Sequence, residues 1–220
     1  MKLPGLAYLW VKVEFEKLED RVRTLDQIAD VERGMRPTEV SYVGDGLLFI
    51  RIGDMGEYGY AELDLSNAVK IPVKHLEEVK PALIKKNDVL IAVTGATIGK
   101  VALVEEERKA IACPDIAIVR LREEADIEPR YLYAFLQSEY SQTQLKRCIH
   151  GSTNLHLDKE YIDKVLIPRP PKERRMEIAN KFSEAEKKAR ELRKEALKIL
   201  NENKRNFESF VAEEFRIKRK

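Results

Sequence analysis

The strongest constraint on the fold is a long run without breakers. From Lys172 to Phe215 the chain holds neither Gly nor Pro and is dominated by Glu, Lys, Arg, Ala and Leu. These side chains lose little freedom in a helix, so the run reads as one helix of about 40 residues, roughly 60 Å long. Ile167-Pro-Arg-Pro-Pro171 sets its start, because prolines are excluded from a helix interior. Within the helix Ile178, Phe182, Ala185, Ala189, Leu192, Ala196 and Ile199 recur at alternating steps of four and three, and the series continues through Asn203 and Asn206 to Phe210. That spacing is a heptad seam, and Leu197, Leu200 and Phe207 widen its apolar stripe. One small domain cannot cover a seam of this length, and the N-terminal stretch Val11 to Ile28 is amphipathic only in part and shorter. The seam therefore predicts a partner helix, most simply from a second copy of the chain, with Asn203 as a polar position able to fix register.

Residues 1–170 have another texture. Short β-branched runs at Leu47 to Ile52, Ala68 to Ile71, Val89 to Val93, Lys100 to Val104, Ile116 to Leu121 and Lys164 to Ile167 alternate with Gly and Pro punctuation and predict strands. Tyr131 to Ser138, opened by Pro129, and Ser141 to Ile149 predict helices. Leu25 to Val31 reads as a short helix stopped at Gly34. The expectation is an α+β, strand-rich globular domain over residues 1–170, followed by a coiled-coil helix over 171–220.

Charge excludes less than it first suggests. Charged residues make up 35% of 220, yet the net charge is only +2, so bulk charge does not announce a polyanion partner and the distribution has to carry the argument. Basic residues gather at Arg21 to Arg36, Lys85 and Lys86, Lys100, Arg147 to His150, Arg169 to Arg175 and Arg216 to Lys220, any of which also suits a solvated surface. Cys113 and Cys148 lie far apart with no metal-type spacing, which fits a reducing, cytoplasmic setting. No apolar run reaches the roughly 18 residues that would span a bilayer.

Asn87 to Val104 is the most informative stretch for function. Two apolar runs flank Gly95 and Gly99, predicting a hairpin whose loop exposes Thr94, Thr97 and Lys100. Backbone amides, hydroxyls and an ammonium together suit phosphate oxygens or base edges. A nucleotide-binding P-loop does not fit. That loop needs four residues between its first Gly and the Gly-Lys pair, then Ser or Thr for Mg²⁺, whereas Gly95 and Gly99 enclose three and Val101 follows Lys100. A structural turn without a ligand is the plainer alternative.

Five blocks in order resemble the specificity (S) subunits of type I restriction-modification systems, in a form with a single target recognition domain. They are Leu48-Phe-Ile-Arg-Ile-Gly-Asp-Met55, the block Leu83 to Leu103 that contains the glycine loop, Pro129-Arg-Tyr-Leu-Tyr-Ala-Phe-Leu136, His150-Gly-Ser-Thr-Asn-Leu-His-Leu157, and Val165 to Arg174 opening the long helix. The resemblance implies a domain reading part of a bipartite duplex DNA target, joined to a helix that spaces two such domains. Two copies with antiparallel helices would rebuild that arrangement and favour an inverted repeat. On the reading of a DNA-binding specificity module, the residues expected to face DNA are Arg33, Arg36, Lys85, Lys86, Thr94, Thr97, Lys100, Arg147, His150, Ser152, Thr153, Asn154 and His156. Asn154 stands where the family usually has Gln, which keeps an amide for adenine but shortens its reach; a satisfied turn is the equal alternative there.

The family's chemistry lies elsewhere. An adenine methyltransferase subunit using S-adenosylmethionine and, where present, an ATP-dependent, Mg²⁺-using restriction subunit are the expected partners, and this chain is expected to hold no cofactor or metal. Pro168-Arg-Pro-Pro171 lacks both the polar residue and the aromatic of an adenine-methylating Pro-Pro motif. His75, His150 and His156 are too few for a convincing zinc site. Two rival readings stay open on sequence alone: a coiled-coil adaptor without DNA specificity, and a nuclease whose site is unrecognised.

Overall fold

The structure is a computed structural model that describes residues 21–38, 42–56, 63, 65, 67–149 and 155–215. Part of the amphipathic N-terminal stretch, and His150, Ser152, Thr153 and Asn154, lie outside the described residues. Backbone proximity divides the chain into one unit ending at Asn180 and another beginning at Lys181.

Among the described residues the first unit shows three small sheets. β1 (Val22–Thr24) pairs antiparallel with β9 (Leu166–Pro168), setting Val22 opposite Pro168. Pro cannot donate to a ladder and is tolerated on such an edge. β2 (Ala29–Arg33), β8 (Ile116–Leu121), β5 (Val89–Ala92) and β6 (Val101–Leu103) form an antiparallel sheet in the spatial order β2-β8-β5-β6. β4 (Val69–Ile71), β3 (Leu47–Ile50) and β7 (Ala110–Ala112) form the third, with β3 and β7 parallel.

Every residue of β5 is buried, and its sequence Val-Leu-Ile-Ala shows no polar alternation. Both its faces are covered, which such a continuous apolar run requires. Leu90 and Ala92 of β5 join Ala102 and Ile118 in one apolar cluster with Phe49, Ile50 and Ile111 of the third sheet. Helix α1 (Pro129–Gln137) packs on β5 and β6 and buries Tyr131 through Leu136, with α2 (Glu139–Arg147) beside it. The short α3 (Lys159–Asp163) follows, and α4 (Lys172–Glu214) then runs 43 residues unbroken.

One expectation fails. Leu25 to Val31 is not a helix. A single 3-10 turn, Leu25–Gln27, leads into β2. Ala29 and Val31 point inward with exposed residues between and beyond them, and the strand pairs along its whole length with β8. That distant ladder outweighs the local helical spacing. Gly34 does not stop a helix either. A Cβ there would lie 2.0 Å from the Cys113 carbonyl, so Gly lets two backbones cross, with Met35 N–H donating to the Ala112 carbonyl at 2.9 Å.

The start of α4 is fastened within the first unit. Arg175 is only 3% exposed; it donates to the Pro170 carbonyl (2.8 Å), the Asp126 carbonyl (2.6 Å) and Glu128 (3.0 Å), and pairs with the Asp126 carboxylate at 3.2 Å. The Tyr131 hydroxyl donates to the Pro168 carbonyl at 2.9 Å, and burial pushes that phenol up to about 12. Arg175 therefore leaves the basic surface cluster in which its sequence neighbours place it.

Candidate nucleic-acid interface

The predicted hairpin is present, with Ile91 paired to Val101 and Val89 to Leu103. Its loop closes through Gly99 N–H to the Ala92 carbonyl (2.9 Å) and Lys100 N–H to the Thr97 carbonyl (3.0 Å). Gly99 has φ +88°, a conformation L side chains rarely adopt, and a Cβ there would sit 2.7 Å from Gln142 Oε1. Gln142, in the first half of α2, donates from Nε2 to the carbonyls of Gly99 and Leu136, both at 2.8 Å. One buried amide thus joins the loop's exit to the α1–α2 corner.

Three other segments close around the loop. Leu157 N–H donates to the Val93 carbonyl (2.9 Å), Gly95 N–H to the Leu155 carbonyl (3.3 Å), and Thr94 and His156 form a β-bridge. From the β7–β8 connection, the Asp115 carbonyl accepts from Val93 N–H (2.9 Å) and its carboxylate from the Thr94 hydroxyl (2.7 Å). Arg33 Nε donates to the neighbouring Pro114 carbonyl at 2.8 Å. The turn after β3 presents the Ile52 carbonyl to Lys100 Nζ at 3.5 Å. Buried Asp54 shapes that turn by accepting from Arg51 N–H (2.8 Å) and from its guanidinium, which also reaches the Asn67 carbonyl at 2.8 Å.

The structure thus brings together Arg33, Thr94, Thr97, Lys100 and His156. Thr97 is exposed as expected; Thr94 and Lys100 are half-buried, the first held by Asp115. Burial lowers the pKa of the Lys100 ammonium, which makes no ion pair among the described residues. The amides of Ala96, Thr97 and Ile98 likewise donate to nothing among the described residues. A half-desolvated cation and N–H groups without partners among the described residues, offered by one loop, suit an anionic oxygen. Arg36 is exposed just beyond the Gly34 crossing, and Arg147 ends α2 on an exposed turn.

Lys85 and Lys86 are not in this group. They are exposed in the turn before β5, while the glycine loop follows β5, so the strand separates them. The turn is fixed by Asp88, which accepts from Lys85 N–H (2.6 Å) and pairs with Arg120 at 2.6 and 2.8 Å. Sequence reasoning singled out neither Gln142 nor Asp115 as part of this site. The Thr94 contact crosses 21 positions and that of Gln142 with Gly99 crosses 43, and no local motif announces either.

Along α4 the seam is open. Leu192, Ile199 and Phe210 are each more than half exposed, as are Leu200 and Phe207 of the wider stripe. Ala185, Ala189 and Ala196 are exposed as well, while Phe182 is half-buried and Ile178 sits at the margin of exposure. No helix among the described residues is long and apolar enough to cross a membrane.

Comparison with known proteins agrees with the block order. Residues 18–202 match the family model described as the type I restriction modification DNA specificity domain. The chain is 26% identical over 175 residues to the type I restriction enzyme EcoBI specificity subunit of Escherichia coli, covering 79% of this chain and 36% of that protein. Its fold resembles the type I restriction-modification S subunit of M. genitalium (TM-score 0.54, 18% identity, 87% of this chain and 44% of that one). It also resembles the HsdS subunit of Thermoanaerobacter tengcongensis (TM-score 0.56, 18% identity, 87% and 47%). The chain spans about a third of the curated relative and under half of each solved chain. With most of its length matched, from before β1 to well along α4, the chain belongs to the type I restriction modification DNA specificity domain family.

Proposed function

We propose that this chain reads part of a bipartite duplex DNA target and directs the partner subunits of a type I restriction-modification system to it. The observation that supports this most is convergence. Three blocks far apart in sequence, represented by Ile52, Gly95 to Lys100, and Leu155 to Leu157, meet at one loop that offers a half-buried cation and unused amides. In this reading Lys100, Thr97 and the free amides take phosphate oxygens, and Arg33, Arg36 and His156 lie closer to the bases. Lys85, Lys86 and Arg147 add attraction from outside the loop, and His150, Ser152, Thr153 and Asn154 belong to the reading surface on the strength of the family block alone.

The chain supplies recognition and no chemistry. Adenine methylation with S-adenosylmethionine, and any ATP- and Mg²⁺-dependent restriction, belong to partner subunits in the cytoplasm. The relative in Escherichia coli is named as a specificity subunit. Two copies join through the seam of α4, which presents two identical readers and favours an inverted repeat.

Selection of binders from a random duplex pool by the purified chain tests this. Enrichment of an inverted repeat with a fixed spacer is the expected result. Binding with no enriched sequence returns the chain to the adaptor class, and cutting of the pool in Mg²⁺ by the chain alone points to a nuclease.

A further inference from the structure

The α4 seam can meet a second copy in more than one way, and some feature of the helix must choose. Asn203 gives one Nδ2 hydrogen to its own Ile199 carbonyl at 2.9 Å, which leaves only part of its amide to meet a partner. The choice falls to the charges beside the seam. Phe182, Ala189, Ala196 and Asn203 form one seam row, and the residues immediately before them are Lys181, Lys188, Glu195 and Glu202. Their sign changes once, halfway along, and all four are exposed. The other flank carries less of the code, since Glu186 is buried within its own chain.

We infer that two copies pair α4 antiparallel in a single register, with the two-fold axis between residues 190 and 191. Lys181 then faces Glu202 of the second copy, and Lys188 faces its Glu195. This rests on the dimer proposed above; the antiparallel orientation is the one the family resemblance implies, and the register is what the charges add. Each pair occurs twice by symmetry, so all four flanking contacts attract. In the same register Phe182 packs on Ile199, Ala185 on Ala196, and Ala189 on Leu192 of the second copy.

The alternatives are penalised by the same residues. A slip of one heptad in one direction sets Lys188 against Lys188 of the second copy, and in the other direction Glu195 against Glu195. Parallel pairing brings Lys188 against Arg193. Flanking charges of this kind select orientation and partner in coiled coils, as much by repulsion in the wrong arrangement as by attraction in the right one. The register fixes how far apart the two helix starts lie.

A spin-label distance tests the register in the full chain. Cys148→Ser removes the accessible thiol, and Cys113 is buried with its thiol pushed up to about 11, so it reacts slowly. A nitroxide on Lys204→Cys, an exposed site off the seam, should report about 40 Å between copies, from 27 residues of axial offset at 1.5 Å each. A distance of about 30 or about 51 Å marks a slipped register, and one near 10 Å a parallel pair; either overturns the inference and leaves the dimer standing. A monomer at every concentration in sedimentation removes both. Independently, Lys181→Glu with Lys188→Glu should raise the dimer Kd about tenfold or more, and adding Glu195→Lys with Glu202→Lys should restore it. Failure of that rescue, with helix content unchanged by circular dichroism, overturns the inference.

Discussion

At the scale of residues, Lys100 is the most exacting test of the proposed site. Its ammonium is partly desolvated and among the described residues meets only the Ile52 carbonyl at 3.5 Å, so a phosphate arriving beside it recovers lost solvation. Lys100→Ala should weaken binding to all duplexes alike and flatten the dependence of log K on log salt by about one unit. Titration at several salt concentrations checks this, and an unchanged slope removes Lys100 from the phosphate contacts. Gly99→Ala should act through geometry instead. The left-handed backbone costs about 1–2 kcal/mol for an L side chain, and the new methyl would strike Gln142 Oε1, so a loss of about 2 kcal/mol in urea unfolding is expected. Loop glycines and Lys100 were legible in the sequence because a turn writes its needs locally. Asp115 and Gln142 were not, because their value comes from chain segments that only the fold brings near. Lys85 and Lys86 share a sequence block with the loop yet stand at the opposite end of β5, a separation that the block alone does not announce.

At the scale of elements, the long helix and the β5–β6 hairpin were readable in advance. Absence of breakers and an uninterrupted β-branched run are signals that no tertiary contact needs to supply. β2 was misread as helix because Leu25, Ile28, Ala29 and Val31 carry near-helical spacing, and only the ladder to β8 converts them to a strand. The junction before α4 was legible as a break through its prolines, but its fastening was not. Arg175 gathers two backbone carbonyls and two carboxylates at a site nearly closed to solvent. Arg175→Ala strands Glu128 and leaves those carbonyls without donors. A loss of about 2 kcal/mol or more is expected, below the range for fully buried pairs because Asp126 remains largely exposed. Thermal unfolding of the variant measures it, and a change under about 0.5 kcal/mol would show that the fastening contributes little.

At the scale of the whole molecule, the proposed reading and the proposed spacing fall to different units, so they should fail separately. Leu192→Asp sets a carboxylate in the seam beside the proposed two-fold axis, where burial without a partner is costly. The variant should sediment as a monomer and lose its advantage on an inverted repeat, yet bind a duplex carrying one half-site as the parent chain does. Loss of half-site binding as well would mean that the seam supports the reader directly. A dimer that persists would place the interface elsewhere.

The β1–β9 ladder adds a last consequence. Val22 to Thr24 leads into the strand-rich unit and Leu166 to Pro168 leads out, side by side, with Arg169 N–H bonded to the Arg21 carbonyl at 2.6 Å. The ladder closes the two ends of the strand-rich unit through backbone hydrogen bonds, which any sequence can make, but Asp126, Glu128 and Tyr131 lie between them and hold Arg175 and Pro168, so a segment set between the same two strands would have to bring those three side chains with it.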